Sequence, residues 1–476
     1  MNHTMDRVPV DRMAWPSEEV PSTDYAVAVN GGPVFVHQAR VSAQPFNQVW
    51  PGYQRPLEQT ELAAFASWVM TDPVEVVVES AHEIAEAKVR PASRGIEPVV
   101  EGRTLRFVLD RPGQVTVEIN GMHRALHLFA DPPETAVPPP DDPNVIYFGP
   151  GVHCAGLIRI TSGQTVYIAA GAVVYGAIAA DGAENIAILG RGILDGSKVS
   201  RAHTHGLVNL AGCRQVRMEG VILRDAPEWT LIPACCEHVD LHNIKLIGMW
   251  RYNSDGVDFV NSRHCTLTDS FIRTFDDCVV FKGLVSWGQR PTHAAALTDV
   301  QVRRCVLWCD WGRAIEIGAE TVAEEISGLV FEDCDIIHSL DVAMEVQNGD
   351  RAHCHDLLFR DIRVELDDDQ TQPGYQQKKG EVYRHTARHL SQLAVLVVGA
   401  NMWSHDTARG RTSGIRFENI RVTAWDLPEC WFAGLDEGHQ VSDVVIENLT
   451  INGRRLRSMA EGRFVVKPFV EQVSLR

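Results

Sequence analysis

The chain has 476 residues and a mass of 52.8 kDa, long enough for one large core or two domains. With 45% hydrophobic and 22% charged residues, and no apolar run long enough to cross a bilayer, neither a disordered nor a transmembrane chain fits. The formal charge of −18 speaks against a nucleic acid or an anionic membrane as partner, because phosphates would be repelled. An acidic polymer is excluded less firmly, and a neutral substrate fits most easily.

The first residues, MNHTMDRVPVDRMAWPSEEV, show no basic region followed by an apolar core and a small-residue cleavage site, so a cytoplasmic protein is expected. Short β-like runs follow at Pro33–Val41, Val74–Glu79, Leu105–Leu109 and Val115–Asn120, separated by turn signals such as Arg111-Pro112-Gly113 and Asn120-Gly121. They predict a small β-sandwich over residues 1–138. Glu58–Met70 reads as a short helix. The segment DPPETAVPPPDDPN, residues 131–144, is proline-rich and acidic, and marks a stiff boundary before a second domain over 139–476. The 11 cysteines run from Cys154 to Cys430 without a CxxC pair, which predicts buried thiols rather than a disulfide framework or a zinc site.

Beyond the boundary an internal repeat appears. Its segments are Val216–Leu223, Val239–Leu246, Cys265–Ile272, Val300–Leu307, Val330–Ile337, Leu358–Glu365, Arg416–Thr423 and Val445–Asn452. Each has apolar positions flanking one residue, then a polar pair, then more strand. The matched positions Met218, Leu241, Leu267, Val302, Phe331, Phe359, Phe417 and Ile446 are separated by 23, 26, 35, 29, 28, 58 and 29 residues. A period in the twenties with strand-like composition and no helical pattern predicts a parallel β-helix, whose coils stack to bury one continuous apolar column. The 58-residue gap equals about two coils, so one coil there is irregular or carries an insertion. The polar and aromatic stretch Leu366–Gly410 would then protrude as a long loop, and Tyr383, His385 and His389 are candidates to close over a ligand.

The densest group of reactive side chains lies at 250–283. Asp255 stands in Asn253-Ser254-Asp255-Gly256, and Asp276-Asp277-Cys278 follows 21 and 22 residues later, close to one coil. Residues one coil apart lie about 4.8 Å from each other along the axis, so the three carboxylates converge on one face. Their repulsion keeps one acid protonated beside a charged base, which is the pairing glycoside hydrolysis needs. Aspartates in solenoid turns also bond their own backbone, and any one of these three alone would read that way. Trp250, Tyr252, Trp308 and Trp311 surround the motifs; they suit either stacking on sugar rings or packing at coil edges.

With those motifs in place, the stretch resembles glycoside hydrolase family 28, the polygalacturonase family. That family carries Asn-Thr-Asp-Gly, an Asp-Asp pair one coil later, then Gly-His-Gly and Arg-Ile-Lys. Residues 145–178 and 188–196 also look like its first coils, and the resemblance spans about 145–365. It implies an all-β chain: a right-handed parallel β-helix of the pectin-lyase-like kind, here preceded by a small β-sandwich. It implies inverting, single-displacement hydrolysis of an oligosaccharide or polysaccharide, with Asp276 as general acid and Asp255 and Asp277 holding and deprotonating the water. Inversion needs carboxyl groups about 6.5–9.5 Å apart. Substrate contacts are expected from Asn253, Lys282, Arg313, Glu316, Glu345, Trp250 and Trp311. No cofactor is implied, since carboxylates alone activate water and protonate a leaving group, although an aspartate cluster also suits calcium.

Two departures bear on substrate. Gly312-Arg313-Ala314 stands where Gly-His-Gly is expected, and Arg cannot titrate near neutral pH. Arg313 either steadies an aspartate or binds a sugar hydroxyl, or it forms a surface ion pair with Asp310 or Glu316. Met344-Glu345-Val346 stands where the uronate-gripping Arg-Ile-Lys is expected, which argues against galacturonan unless Lys282 and Arg313 substitute. The N-terminal domain is similar to that of glycoside hydrolase family 49, the dextranase and isopullulanase family. The combined expectation is a family 28-like hydrolase with an appended sandwich, acting on chain ends or oligosaccharides of a neutral or atypical sugar. A lyase, an esterase or a uronate epimerase on the same scaffold, and a non-catalytic glycan-binding β-helix, remain as rivals.

Overall fold

The computed structural model describes residues 13–43, 57, 60–366 and 391–476. Its N-terminal part holds strands β1 (Tyr25–Val29), β2 (Gly32–Val34), β3 (His37–Ser42), β4 (Thr60–Val69), β5 (Val74–Ser80), β6 (Ala87–Arg90), β7 (Val99–Glu101), β8 (Thr104–Leu109), β9 (Gly113–Ile119) and β10 (Leu126–Asp131). They form two five-stranded sheets, β2-β1-β5-β8-β7 and β3-β4-β10-β9-β6, which enclose a core built on Val27, Trp68, Val76, Leu105, Val117 and Leu128. The expected run Pro33–Val41 is split between the two sheets. The segment expected as a helix is the strand β4 instead. Its sequence TELAAFASWV shows no polar alternation because both of its faces are buried: Ala64, Ala66 and Trp68 point into the sandwich, while Phe65 faces the second domain.

From Val145 onward the chain winds as a parallel β-helix, with one parallel sheet of twelve strands and one of twenty-one whose pairings step from coil to coil. The repeat positions fall in register without a slip. Met218, Leu241, Leu267, Val302, Phe331, Phe359, Phe417 and Ile446 are successive partners along the twelve-stranded sheet. Phe331, Phe359 and Phe417 stack their rings at 4.7 and 4.9 Å. The polar pair of each repeat turns the corner. Its second member, Asn243, Asp269, Arg304, Asp333, Asp361, Asn419 and Asn448 in successive coils, has φ between 51 and 55°. Asn and Asp tolerate that left-handed geometry best among residues with a Cβ. Phe359 pairs directly with Phe417, so the 58-residue interval is a single coil with an insertion. Residues 367–390 of that insertion, with Tyr383, His385 and His389, lie outside the described residues.

The sheet β3-β4-β10-β9-β6 lies against one flank of the β-helix. Ala39, Phe65, Ala125 and Phe129 pack on Val173, Ile193, Ile222, Ile247, Phe271, Val306, Trp308 and Ile337. Buried ion pairs cross the same junction. Arg90 donates to Glu118 at 2.8 Å within the sandwich and also to Glu365 of the β-helix, while Lys245 pairs with Asp131 and Arg224 with Glu19. All nine cysteines whose thiols are buried sit inside the chain as free thiols; Cys154 is exposed and Cys235 partly so.

Candidate active site

The site forms on the β-helix face made by the strands Trp229–Ala234, Val257–Val260, Val279–Gly283, Ile315–Thr321 and Val342–Asn348, away from the sandwich. Backbone bonds stack its corner. Gly256 N–H donates to the Asp277 carbonyl at 2.8 Å, and Cys278 N–H donates to that of Arg313 at 2.8 Å. Asp255, Asp277 and Arg313 therefore lie on consecutive coils at one level. The glycine of Asn253-Ser254-Asp255-Gly256 is required by this stacking, since a Cβ on Gly256 would come within 2.3 Å of the Cys278 carbonyl oxygen. Asn253 turns the chain into the motif with φ 61°, and its side chain bonds Glu228.

A cavity of about 140 Å³ opens over this corner, lined by Asn253, Asp255, Asp276, Asp277, Lys282, Trp311, Arg313, Glu316, Glu320 and Gln347, with Trp229, Tyr252, Ala319 and Trp403 at its walls. The structure thus brings together the three expected aspartates and five of the expected contact residues. Glu345 stands one shell away, accepting from Arg313 Nε at 2.7 Å. Trp250 is not in the lining. It is buried at the coil edge, where its indole N–H donates to Asp225 at 3.0 Å. Trp308 lies under the sandwich with the Arg273 guanidinium 3.9 Å from its ring. Arg313 pairs with Glu345 and, at 3.5 Å, with Asp341, whereas Asp310 belongs to Arg273.

Burial divides the carboxylates. Asp276 is pushed up to about 8 by burial first and then by the Asp277 charge. Burial acts the same way on Asp277, but a hydrogen bond with Glu316 and the charges of Arg313 and Lys282 outweigh it and hold Asp277 below the usual carboxylate range. The Arg313 backbone N–H also donates to Asp277 Oδ1 at 2.7 Å. Burial raises Asp255, Asp258 and Glu316 well above their ordinary values, with neighbouring carboxylates adding to it. Lys282 stays charged against burial because Glu320, Asp255, Glu316 and Asp258 surround it; its ammonium is 3.2 Å from Glu320 and 5.1 Å from the Trp229 ring centre. Asp255 Oδ1, both oxygens of Asp258 and Glu316 Oε1 are buried without a protein hydrogen-bond partner, which adds to the cost of ionising these three groups. Among the described residues, no group of three His, Cys, Asp or Glu side chains is arranged to hold a metal ion.

Asp258, Glu320, Trp229, Gln347 and Trp403 were not legible as site residues. Asp258 is the outward position of the alternation Val257-Asp258-Phe259, one coil from Val280 and two from Glu316, and that alternation next to Asp255 was a usable signal. Trp229, Gln347 and Trp403 carry no motif and reach the cavity only through the stacking of coils. The Trp403 N–H donates to Asn401 Oδ1 at 2.7 Å, and the loop just after it is held by Asp350, a fully buried carboxylate that accepts the N–H groups of Thr321, His405 and Asp406 at 2.9, 2.8 and 2.7 Å. Gly312 closes the corner from above. A Cβ there would meet Asp277 Oδ1 at 2.4 Å and Asp276 Oδ1 at 2.7 Å. The same Cβ would lie 2.9 Å from the Asp277 backbone nitrogen, so Gly312→Ala is expected to displace both carboxylates, to cost more than tenfold in turnover and to lower the melting temperature, as measured by kinetics and thermal denaturation side by side.

The sequence model of glycosyl hydrolases family 28 matches residues 162–370, the segment that carries both aspartate motifs. No curated protein matches the chain by sequence. Among solved structures, Dex49A from Penicillium minioluteum superimposes with a TM-score of 0.66 at 15% identity, over 98% of this chain and 97% of that one, so the sandwich and β-helix arrangement is shared as a fold. The family 28 exopolygalacturonase of Yersinia enterocolitica aligns at 13% identity with a TM-score of 0.49, covering 84% and 96%.

Proposed function

We propose that the protein is an inverting glycoside hydrolase acting on a neutral or atypical glycan. The observation that carries this reading is the division between adjacent carboxyl groups: Asp276 keeps its proton to about pH 8 while Asp277 is held charged. Asp276 is the general acid, giving its proton to the glycosidic oxygen as the bond to the anomeric carbon breaks. Asp277 is the general base, taking a proton from the water that attacks the opposite face. Asp255, raised by burial and level with Asp277, orients that water. Glu316 in its neutral form donates to Asp277 and keeps it ionised. The family 28 match supports a carbohydrate substrate.

The choice of a neutral sugar rests on charge. Only Lys282 and Arg313 among the lining residues are cationic, and both are already engaged, by Glu320 and by Glu345 and Asp341. A uronate would enter a corner crowded with carboxyl groups and find no free cation to offset its desolvation. A polygalacturonase-type activity is the second reading, favoured by the Asn253–Gly256 and Asp276–Cys278 motifs.

The test is a panel of neutral and uronic oligosaccharides, with the anomer of the first product followed by NMR and unsaturation by ultraviolet absorbance. Saturated products of inverted configuration from neutral chains are expected. An ultraviolet-absorbing product would replace hydrolysis by elimination, and a retained anomer would end the single-displacement mechanism. The pH profile of kcat/KM is expected to fall above about pH 8, where Asp276 loses its proton, and to hold on the acid side until below the ordinary aspartate value, where Asp277 gains one. Arg313→Met should raise the acid limb, because the guanidinium helps keep Asp277 charged.

A further inference from the structure

The 35-residue interval between Leu267 and Val302 is longer than its neighbours, and the structure shows what the extra residues do. They form a small hairpin, Ser286–Trp287 against Arg290–Pro291, that leaves the coil carrying Asp276 and Lys282 and folds back along the same face toward the start of the β-helix. Trp287 donates its indole N–H to Asn209 at 2.8 Å, and Arg290 pairs with Asp181, so the hairpin is tied to strands three and four coils away. Three coils correspond to roughly 14 Å, more than the length of one sugar ring.

Behind the hairpin lies a second cavity of about 660 Å³, lined by Arg159, Asp181, His205, Asn209, Trp287 and Arg290 among others. The two cavities meet at an aromatic ridge. Trp229, a wall of the acidic cavity, stacks on Trp287, a wall of the second one, at 5.5 Å and 11°. Trp287 is largely buried against Trp229, Ile232 and Val260, so the ridge offers an aromatic edge rather than an open face; such an edge flanked by guanidinium, amide and carboxyl groups suits a sugar, whose C–H surface packs on it while its hydroxyls both donate and accept. Arg159 is exposed in this cavity and has no ion-pair partner among the described residues.

We propose that the second cavity is a remote subsite: it holds a sugar unit of the same glycan whose scissile bond lies at Asp276, and the chain crosses between them over the Trp229–Trp287 ridge. This rests on the glycoside hydrolase reading for the identity of the ligand. The subsite makes the protein a reader of chain length, with the hairpin as its specificity element.

The experiment uses full-length Asp276→Asn protein, so that binding is measured without turnover. Isomalto-, xylo- and galacturono-oligosaccharides of two to six units are titrated by calorimetry. For one series, affinity is expected to rise about tenfold or more between the disaccharide and the longer chains, the size of one stacked ring and a hydrogen bond. Arg159→Ala and Trp287→Ala, each made in the Asp276→Asn background, are expected to remove that length-dependent gain. Arg159→Ala changes only an exposed side chain, so it reports even if Trp287→Ala folds poorly. Equal affinity for short and long chains, no binding in any series, or an undiminished gain in Arg159→Ala overturns the subsite. Length-dependent binding together with absence of hydrolysis by the wild-type protein would instead remove the catalytic reading and leave the subsite standing.

Discussion

Asp276→Asn protein is expected to lose about 10²–10⁴-fold in kcat, the range that a positioned general acid supplies. An amide has the shape of the carboxyl group and its hydrogen-bonding capacity, but no proton to transfer to the leaving oxygen. The same substitution is expected to raise the melting temperature. Asp276 is buried beside Asp277, and removing a group whose ionised form burial and that neighbour both oppose relieves a cost the fold otherwise carries. Opposite signs for activity and stability in one variant would mark Asp276 as a residue kept for chemistry. Undiminished hydrolysis would dismiss it as the acid. A parallel loss in Asp277→Asn, without rescue at alkaline pH, is expected for the base.

Arg90→Met is expected to destabilise the protein by about 3–5 kcal/mol while leaving activity at low temperature intact. Arg90 is 3% exposed and bridges Glu118, 2% exposed, to Glu365, 6% exposed. Its removal takes the guanidinium away from two buried carboxylates at the junction of the domains, leaving His338 on Glu118 and the Ala92 N–H on Glu365. Burial pushes Glu118 up, yet the His338 and Arg90 interactions outweigh it and bring it down to about 2. In the intact protein, then, its folded-state value lies below the unfolded one. Its stabilising contribution is present above about pH 4.5 and is lost as pH falls toward 2. In Arg90→Met the Glu118 value rises, so the difference between variant and wild type should narrow as pH falls through the carboxylate range. Urea denaturation at pH 7 and at about pH 3, inside the window between the two values, measures both points. A difference that stays constant with pH would assign the loss to packing of the Arg90 stem rather than to its charge.

The β-helix was legible because each coil repeats one local grammar. The apolar position buries, the second residue of the polar pair adopts a left-handed conformation, and the next strand begins; Leu241 with Asn243 and Leu267 with Asp269 show it in adjacent coils. The strand β4 was not legible, because contact with a second domain hides Phe65 and erases the polar alternation that distinguishes a strand. At the site, Asp255, Asp276 and Asp277 announced themselves by spacing within one coil. Trp229 and Trp403 did not, since they reach the cavity from coils before and after it and nothing local distinguishes them from packing residues. Arg313 was legible as a residue, but its partners were not. Glu345 lies 32 positions away and Asp341 28, one coil on, where a sequence offers many acidic residues and no means of choosing.

The in-register column through Met218, Leu241 and Leu267 has a consequence for heredity. A one-residue deletion or insertion inside a strand turns the rest of that strand's side chains to the opposite face unless a bulge absorbs it, as one does between Leu307 and Trp308. One at a corner shifts nothing, because the next coil is re-indexed by its neighbour rather than by residue count. The hairpin between Leu267 and Val302 and the insertion between Phe359 and Phe417 both sit where such events are silent to the scaffold. Lineages carrying this architecture can therefore exchange the walls of the cleft by single indels while the aspartates inherit their positions unchanged.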